Sequence, residues 1–139
     1  MANIEDIQFE IDRLKQEYEE GIENCQLSAK VQYDYACMLM CSVQSNHINL
    51  SIELFEELIR IRYNSAKCMY QLALCHMKKR EYKKAKRHLD MLLRLEPRNH
   101  AALSLRSLLF DLLSDDAMKG SLFVLMASIC AFALYKSWK

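Results

Sequence analysis

The sequence predicts an all-α fold of six helices followed by a C-terminal transmembrane helix. The 139 residues include only two glycines and one proline, whereas β folds with many tight turns need such residues at those turns. Apolar residues recur at helical spacing along most of the chain. Residues 120–135 carry no charge. The scarcity of glycine also excludes glycine-rich phosphate-binding loops, which need several clustered glycines.

The apolar pattern and its punctuation place the six helices. The first is predicted at residues 4–20, with Asn3 as its N-cap, Asp6 as the capping-box partner and Gly21 as its end. Pro97 ends the fifth helix, because the residue before a proline avoids the α region. The other five are predicted, in chain order, at residues 28–43, 48–62 (with the stem of Arg62 on the inner side), 65–79, 82–95 and 98–113.

Charge is distributed unevenly along the chain. Residues 1–59 contain twelve acidic and three basic residues, and residues 60–100 contain twelve basic and three acidic residues. We expect the acidic early helices and the basic later helices to attract each other. A basic surface for an acidic partner or for lipid headgroups is the alternative. Nucleic acid is disfavoured, since no aromatic residues interleave with the basic run to stack bases.

The uncharged stretch predicts a tail anchor at residues 119–139, with residues 1–118 in the cytosol. Sixteen helical residues span about 24 Å, which is short of the bilayer core of about 30 Å, but lysines at both ends can snorkel. The alternative is a buried C-terminal helix of the globular domain. The flanking lysines are Lys119, Lys136 and Lys139. The residues predicted to lie in the membrane are Gly120, Leu122, Phe123, Leu125, Ile129, Phe132 and Tyr135.

Six cysteines and four histidines provide no recognisable catalytic or metal motif. In a reducing cytosol the cysteines are expected to be free thiols that pack as small hydrophobes. Cys37, Cys41, Cys75 and His76 could bind zinc only with unusual spacing, because structural zinc motifs have tighter pairs. No nucleophile with a placed base is visible. The sequence therefore predicts a protein without enzymatic activity, metal or cofactor.

Two segments of the chain resemble each other. Ala36 aligns with Ala73, and Ser51 aligns with Ala85, as expected where the two helices of a pair approach closely. The second unit resembles a tetratricopeptide repeat, with its first position at Ala66. The predicted fold is then a six-helix bundle with two tetratricopeptide-like pairs. Its parts are an N-terminal arm (1–21), repeat 1 (28–63), repeat 2 (66–99) and a capping helix (98–113), since two repeats alone rarely form a stable array.

Three segments together resemble the mitochondrial fission protein 1 family of small tail-anchored adaptors. They are residues 33–39 (YDYACML), residues 50–58 (LSIELFEEL), and residues 80–85 (REYKKA) with 92–99 (LLRLEPRN) and Ala102. Cys37 stands where the family usually has tryptophan, and Cys75 where glycine is common. The resemblance implies a cytosol-facing bundle on the outer mitochondrial membrane, and often on peroxisomes, that helps recruit a dynamin-related GTPase, sometimes through other adaptors, without catalysis.

Stacked repeats of this kind line a concave face with the first helix of each pair. The apolar residues on that face are Tyr33, Cys37, Met40, Cys41, Tyr70, Leu74 and Met77. The lysines at its rim are Lys30, Lys67 and Lys78. Such a face suits an amphipathic helix or an extended peptide. Alternatively, the first helix folds across it and makes it ordinary core, or acts as a displaceable lid.

The function predicted on these grounds is a non-enzymatic receptor or adaptor in mitochondrial and peroxisomal fission. Its predicted partners are a dynamin-related GTPase or fission adaptors and the membrane, with self-association left open. The alternative is a tail-anchored tetratricopeptide co-chaperone or import receptor. Chaperone-tail clamps use several asparagine, lysine and arginine residues where this face carries tyrosine, cysteine, methionine and leucine, which disfavours the alternative.

Overall fold

The computed structural model describes residues 3–114 and contains the six predicted helices. They are α1 (Ile4–Glu23), α2 (Ala29–Met40), α3 (Ser45–Arg60), α4 (Ser65–Lys78), α5 (Tyr82–Leu95) and α6 (His100–Ser114). Within the described residues, no helix is both long enough and apolar enough to span a bilayer. The predicted anchor, with its flanking lysines, lies outside the described residues.

The helices pack in chain order. α2 packs against α3 and α4 against α5, while α1 packs against α2, α3 against α4, and α5 against α6. The loops between them are three to five residues long, which brings consecutive helices together as antiparallel neighbours. The core runs through this succession and includes the fully buried side chains of Phe55, Leu58, Leu72, Leu89 and Leu92.

Small residues allow the close approach of paired helices that their alignment predicted. Ala36, Ser51, Ala73 and Ala85 have no exposed surface. The Ser51 hydroxyl donates a hydrogen bond to the carbonyl oxygen of Ala36 at 2.8 Å. The first helix pair is therefore joined by a buried hydrogen bond as well as by packing.

The beginning of α1 is as predicted, but its end is not. The carboxylate of Asp6 accepts a hydrogen bond from the backbone N–H of Asn3 at 3.3 Å, as a capping box requires. The prediction that Gly21 ends the helix was wrong, since α1 continues to Glu23. Glycine at position 21 instead lets the following loop pass close to the helix, because a Cβ there would lie 3.3 Å from the Cα of Leu27.

After three of the helices, a residue other than glycine adopts the left-handed backbone conformation. Cys25, Arg62 and Arg80 follow α1, α3 and α4 with φ angles of 54°, 60° and 61°. After each of them the next residue donates its N–H across the helix end, for example from Tyr63 to the carbonyl of Leu58 at 2.9 Å. The prediction that the stem of Arg62 lies on the inner side of the third helix was wrong, since Arg62 is exposed beyond the end of α3.

The charged halves of the chain meet where α3 packs against α4, but the most acidic and the most basic helix do not pack on each other. The most acidic helix, α1, packs against α2, while the most basic helix, α5, packs against α4 and α6. Van der Waals packing of the apolar faces fixes the order of the helices, since exposed charge pairs contribute little energy. The acidic and basic helices therefore lie toward opposite ends of the succession.

Candidate functional site

The residues predicted for the concave face lie on α2 and α4, which are neighbours. The ammonium of Lys78 bonds to the carbonyl of Met40, and the Cys75 thiol lies close enough to Cys37 to influence its ionisation. The side chain of Gln71 likewise lies close enough to the Tyr33 hydroxyl to lower its pKa. The three pairs share one sequence offset, which means that α2 and α4 run side by side in the same direction.

The seven apolar residues of this face differ in exposure. Cys37, Met40, Leu74 and Met77 are buried, with 8%, 5%, 7% and 1% of their surface exposed. Tyr33, Cys41 and Tyr70 are half-buried. The four buried positions have the exposure of core residues, whereas the three half-buried ones present surface that a ligand could contact.

Aromatic packing holds Tyr33 at one end of this face. Its ring lies edge-on to Phe55, with centroids 5.8 Å apart, and tilted against Tyr63 at 6.4 Å. Burial raises the pKa of the Tyr33 hydroxyl, which is therefore neutral at physiological pH. The neighbouring Gln71 is 3% exposed, and its side-chain oxygen finds no hydrogen-bond partner within the described residues. Sequence reasoning missed Gln71, because it lies within an apolar run and no spacing rule marks it.

The cysteines of this region are protonated and apolar. Burial raises the pKa of Cys75 to about 12, and the pKa of Cys37 is also raised, chiefly by burial. Cys41 donates its S–H to the carbonyl of Cys37 at 3.3 Å. None of the five described cysteines forms a disulfide. Because a thiol must lose its proton to become a nucleophile, these side chains pack as small hydrophobes.

The three predicted rim lysines have different environments. Lys30 is exposed and pairs with the carboxylate of Asp34 at 3.1 Å, and Lys67 is exposed. Lys78 differs from the expectation, because its ammonium donates to the carbonyl oxygens of Met40 at 2.6 Å and Ser42 at 2.7 Å. It thus caps the end of α2, so in this conformation its charge is engaged within the protein.

α1 contacts α2 on a side other than the one that carries the predicted groove residues. The ring of Tyr18 lies 5.4 Å from that of Tyr35, and residues two apart on a helix, such as Tyr33 and Tyr35, do not share a face. Ile11 and Leu14 of α1 are buried, with 3% and 1% exposure. This aromatic contact fastens α1 to α2 without involving the Tyr33 side of α2.

A pair of histidines between α4 and α5 was not predicted. The rings of His76 and His88 are stacked, with centroids 5.2 Å apart and planes 3° from parallel. Burial lowers the pKa of both rings, to about 4 for His88. Since the two histidines are twelve residues apart and lie on different helices, no local pattern could have revealed the pair. Among residues 3–114, no three histidine, cysteine, aspartate or glutamate side chains are grouped so that they could hold a metal ion.

The comparisons with known proteins agree with this fold. The family model of the Fis1 C-terminal tetratricopeptide repeat matches residues 66–118. The mitochondrial fission 1 protein of Gibberella zeae is 32% identical over 112 residues, which cover 80% of this chain and 72% of that protein. The corresponding protein of Mycosarcoma maydis is 30% identical over 101 residues, which cover 72% of this chain and 66% of that protein.

Solved structures show the same architecture. The crystal structure of Fis1 from Saccharomyces cerevisiae matches with a TM-score of 0.71 at 20% identity, covering 84% of this chain and 95% of that one. Yeast Fis1 in complex with an Mdv1 fragment matches with a TM-score of 0.72 at 20% identity, covering 84% and 96%. These neighbours establish the fold, and the relative at 32% identity establishes the kinship that the sequence resemblance predicted. The chain belongs to the mitochondrial fission 1 protein family.

Proposed function

We propose that this chain is a non-enzymatic receptor in mitochondrial and peroxisomal fission, held in the outer membrane by residues 119–139 with its helical domain in the cytosol. It recruits a dynamin-related GTPase or an adaptor of that GTPase. The observation that carries the proposal is membership of a family whose curated relatives are mitochondrial fission 1 proteins. The relative solved with a partner, yeast Fis1, was bound to an Mdv1 fragment containing an N-terminal extension and coiled coil domains.

The groove between α2 and α4 is the proposed binding site for the partner. Its half-buried side chains, Tyr33, Cys41 and Tyr70, offer apolar surface. Methionine side chains lie beneath it, because Met40 and Met77 are buried there. Tyrosine is favoured at binding sites because it has a large apolar body and a polar end, and methionine can adapt its shape to different ligands. An amphipathic helix or an extended peptide fits such a surface.

The alternative, a co-chaperone or import receptor, would need lysines or arginines in the groove that can bind a carboxylate. Two of the three rim lysines are engaged within the protein. A carboxylate clamp needs several free positive charges on the first helices of its repeats. Here Lys78 is bonded to the end of α2 and Lys30 to Asp34. These contacts favour an apolar ligand over a terminal carboxylate.

Complementation in cells tests both parts of the proposal. In cells that lack the gene we expect longer and fewer mitochondria, and the full-length chain should restore their normal length and number. The double variant Tyr33→Ala/Tyr70→Ala should fail to do so. The matched control is Ile61→Ala, because Ile61 is 59% exposed in the loop after α3. Unchanged mitochondria after gene loss would overturn the fission role, and full rescue by the double variant would overturn the groove.

Recovery of partners from the same cells separates the alternatives. Full-length wild-type chain should retain a dynamin-related GTPase or a fission adaptor, and the double variant should lose it at equal expression and equal thermal stability. Recovery of a chaperone in place of fission proteins would support the co-chaperone instead.

A further inference from the structure

The last described helix, α6, carries an apolar stripe that is exposed to solvent. Leu103, Phe110 and Leu113 follow one another at intervals of seven and three residues, so they lie along one side of the helix. They are 36%, 55% and 42% exposed. Apolar side chains that are exposed together beside polar ones mark an interaction surface. We call these three residues the α6 stripe.

The α6 stripe is distinct from both the buried side and the polar side of the helix. The residues of the buried side are Ala102, Leu105, Leu109 and Leu112. The exposed residues of the polar side are Ser104, Ser107, Asp111 and Ser114. At about 100° per residue, the stripe lies between these two sides. Because α6 packs chiefly against α5 through its buried side, the stripe is a surface on which one more helix would pack.

The chain beyond α6 supplies a segment of matching length. Five residues, 115–119, separate the end of α6 from the uncharged stretch at residues 120–135. The loops between the described helices are three to five residues long, and such loops bring consecutive helices together as antiparallel neighbours. A helix of residues 120–135 would be about 24 Å long, and α6 is about 22 Å long, at about 1.5 Å per residue. Such a helix would cover the whole α6 stripe.

We propose that residues 120–135, before they enter the membrane, dock on the α6 stripe as a seventh helix antiparallel to α6. This inference rests on the proposed membrane anchor, because the same residues leave α6 when a bilayer is present. The stripe is then a temporary binding site that shields one side of the anchor from water. The inference does not depend on the groove between α2 and α4.

A bilayer, when present, binds the segment more strongly than α6 does. Apart from Ser121, Ser128 and the hydroxyl of Tyr135, the side chains of residues 120–135 are apolar, so apolar surface lies all round such a helix. α6 covers one side of it, whereas hydrocarbon surrounds it. Since the gain from burial grows with the apolar area removed from water, docking on α6 is reversed by insertion.

Photo-cross-linking from the α6 stripe tests the docking. Full-length chain in which p-benzoylphenylalanine replaces Phe110 is synthesised without membranes, too dilute for chains to associate, and is irradiated and digested. We expect cross-links within one molecule from position 110 to residues 120–135. Vesicles of phosphatidylcholine and phosphatidylethanolamine, added before irradiation, should abolish them. The matched control has the same replacement at Ala101, which is exposed on the other side of α6 and should give no such cross-link.

Flotation of the vesicles separates this inference from the membrane anchor itself. Chain that floats with the vesicles but gives no cross-link to residues 120–135 in water would overturn the docking and leave the anchor standing. Cross-links that persist with vesicles, without flotation, would overturn both, because residues 120–135 would then be a permanent helix of the domain.

Polar substitutions on the α6 stripe should release the segment without unfolding the domain. We expect Phe110→Ser/Leu113→Ser to insert into the vesicles about tenfold faster than wild type, because apolar contacts that hold the docked segment are lost. The matched control is Val43→Ser/Ile61→Ser, at positions 82% and 59% exposed in the loops after α2 and α3. Circular dichroism should show that both variants are folded. Equal insertion rates for the two variants would show that the α6 stripe does not hold the segment.

Discussion

The ammonium of Lys78, a residue of α4, lies at the C-terminal end of α2. The last carbonyl groups of a helix have no partner within that helix and carry partial negative charge. Lys78 of α4 donates to the carbonyl of Met40, the last residue of α2, and to that of Ser42 just beyond the helix. Burial lowers its pKa, and the neighbouring thiols of Cys41 and Cys75 act in the opposite direction. One lysine thus joins the first helix of one pair to the first helix of the next.

Replacing this lysine by a side chain of similar length should show its contribution. We expect Lys78→Met to lower the free energy of unfolding by roughly 2 kcal/mol, because two hydrogen bonds to a charged donor are lost near buried carbonyl groups. Urea denaturation followed by circular dichroism measures the change. Lys79→Met is the matched control, since Lys79 is exposed and its ammonium pairs with the carboxylate of Glu81 at 3.3 Å. Equal effects of the two variants would refute the role assigned to Lys78.

The stacked histidines make stability depend on pH. Burial lowers the pKa of His76 and lowers that of His88 to about 4, with Glu81, Lys79, Lys84 and Arg87 nearby. The folded state therefore binds fewer protons than the unfolded state as the pH falls from about 6.5 toward 4. Their contribution to stability is complete above about pH 6.5 and is lost as the pH falls.

Urea denaturation at pH 7 and pH 5 measures this effect. We expect a loss of about 1 kcal/mol at the lower pH, after allowance for the water that reaches the half-exposed ring of His88. His88→Gln should make the dependence shallower, while His100→Gln, at an exposed position on α6, should leave it unchanged. Identical pH profiles for wild type and His88→Gln would show that other groups titrate.

Residue-level predictions were good where one helix supplies the pattern and poor where two helices meet. The capping box of Asn3 and Asp6 follows a local rule, and the structure confirms it. The close approach of two helices at Ala36 and Ser51 is the exception, because the internal repeat marks those positions. The roles of Lys78 and His88 depend on which carbonyl or ring lies across the interface. Those neighbours are fixed only by the packing of whole helices, so no spacing in the sequence marks them.

At the scale of the helices, the left-handed residues that follow the helix ends are not glycines. Arg62 has a φ of 60° after α3, a conformation that costs an ordinary L residue about 1 kcal/mol relative to glycine. The chain has only two glycines, and neither lies at such an end among the described residues. Predicting Gly21 as a helix end failed for this reason, because the left-handed position is taken by Cys25 instead.

The strain at this helix end gives a stabilising substitution. Arg62→Gly should raise the free energy of unfolding by about 1 kcal/mol, since glycine adopts positive φ without steric cost. Arg60→Gly is the matched control and should destabilise by a similar amount, because Arg60 lies in the last turn of α3. Thermal unfolding of both variants measures the difference. A lower melting temperature for Arg62→Gly would contradict the assignment of strain.

At the scale of the whole molecule, the succession of helices makes the terminal helix separable. α1 packs chiefly against α2, so deleting residues 1–23 should leave α2 to α6 folded but less stable, because it exposes Tyr35. Circular dichroism should show loss of the helical signal of one helix, and urea denaturation should show an earlier midpoint. Complete unfolding would show that α1 is part of the indivisible core. The same deletion should raise partner affinity only if α1 acts as a lid.

The order in which the helices pack against one another is also the order in which they are synthesised. Each helix packs against its neighbours in the chain, so the packing contacts join segments that are close in sequence. Folds dominated by such local contacts form quickly, and domains begin to fold from the N-terminus while the chain is still being made. The acidic helix can thus be packed on α2 before the basic helix has been synthesised. When the cations of α5 emerge, the carboxylates of α1 are therefore already held on a helix that is packed against α2.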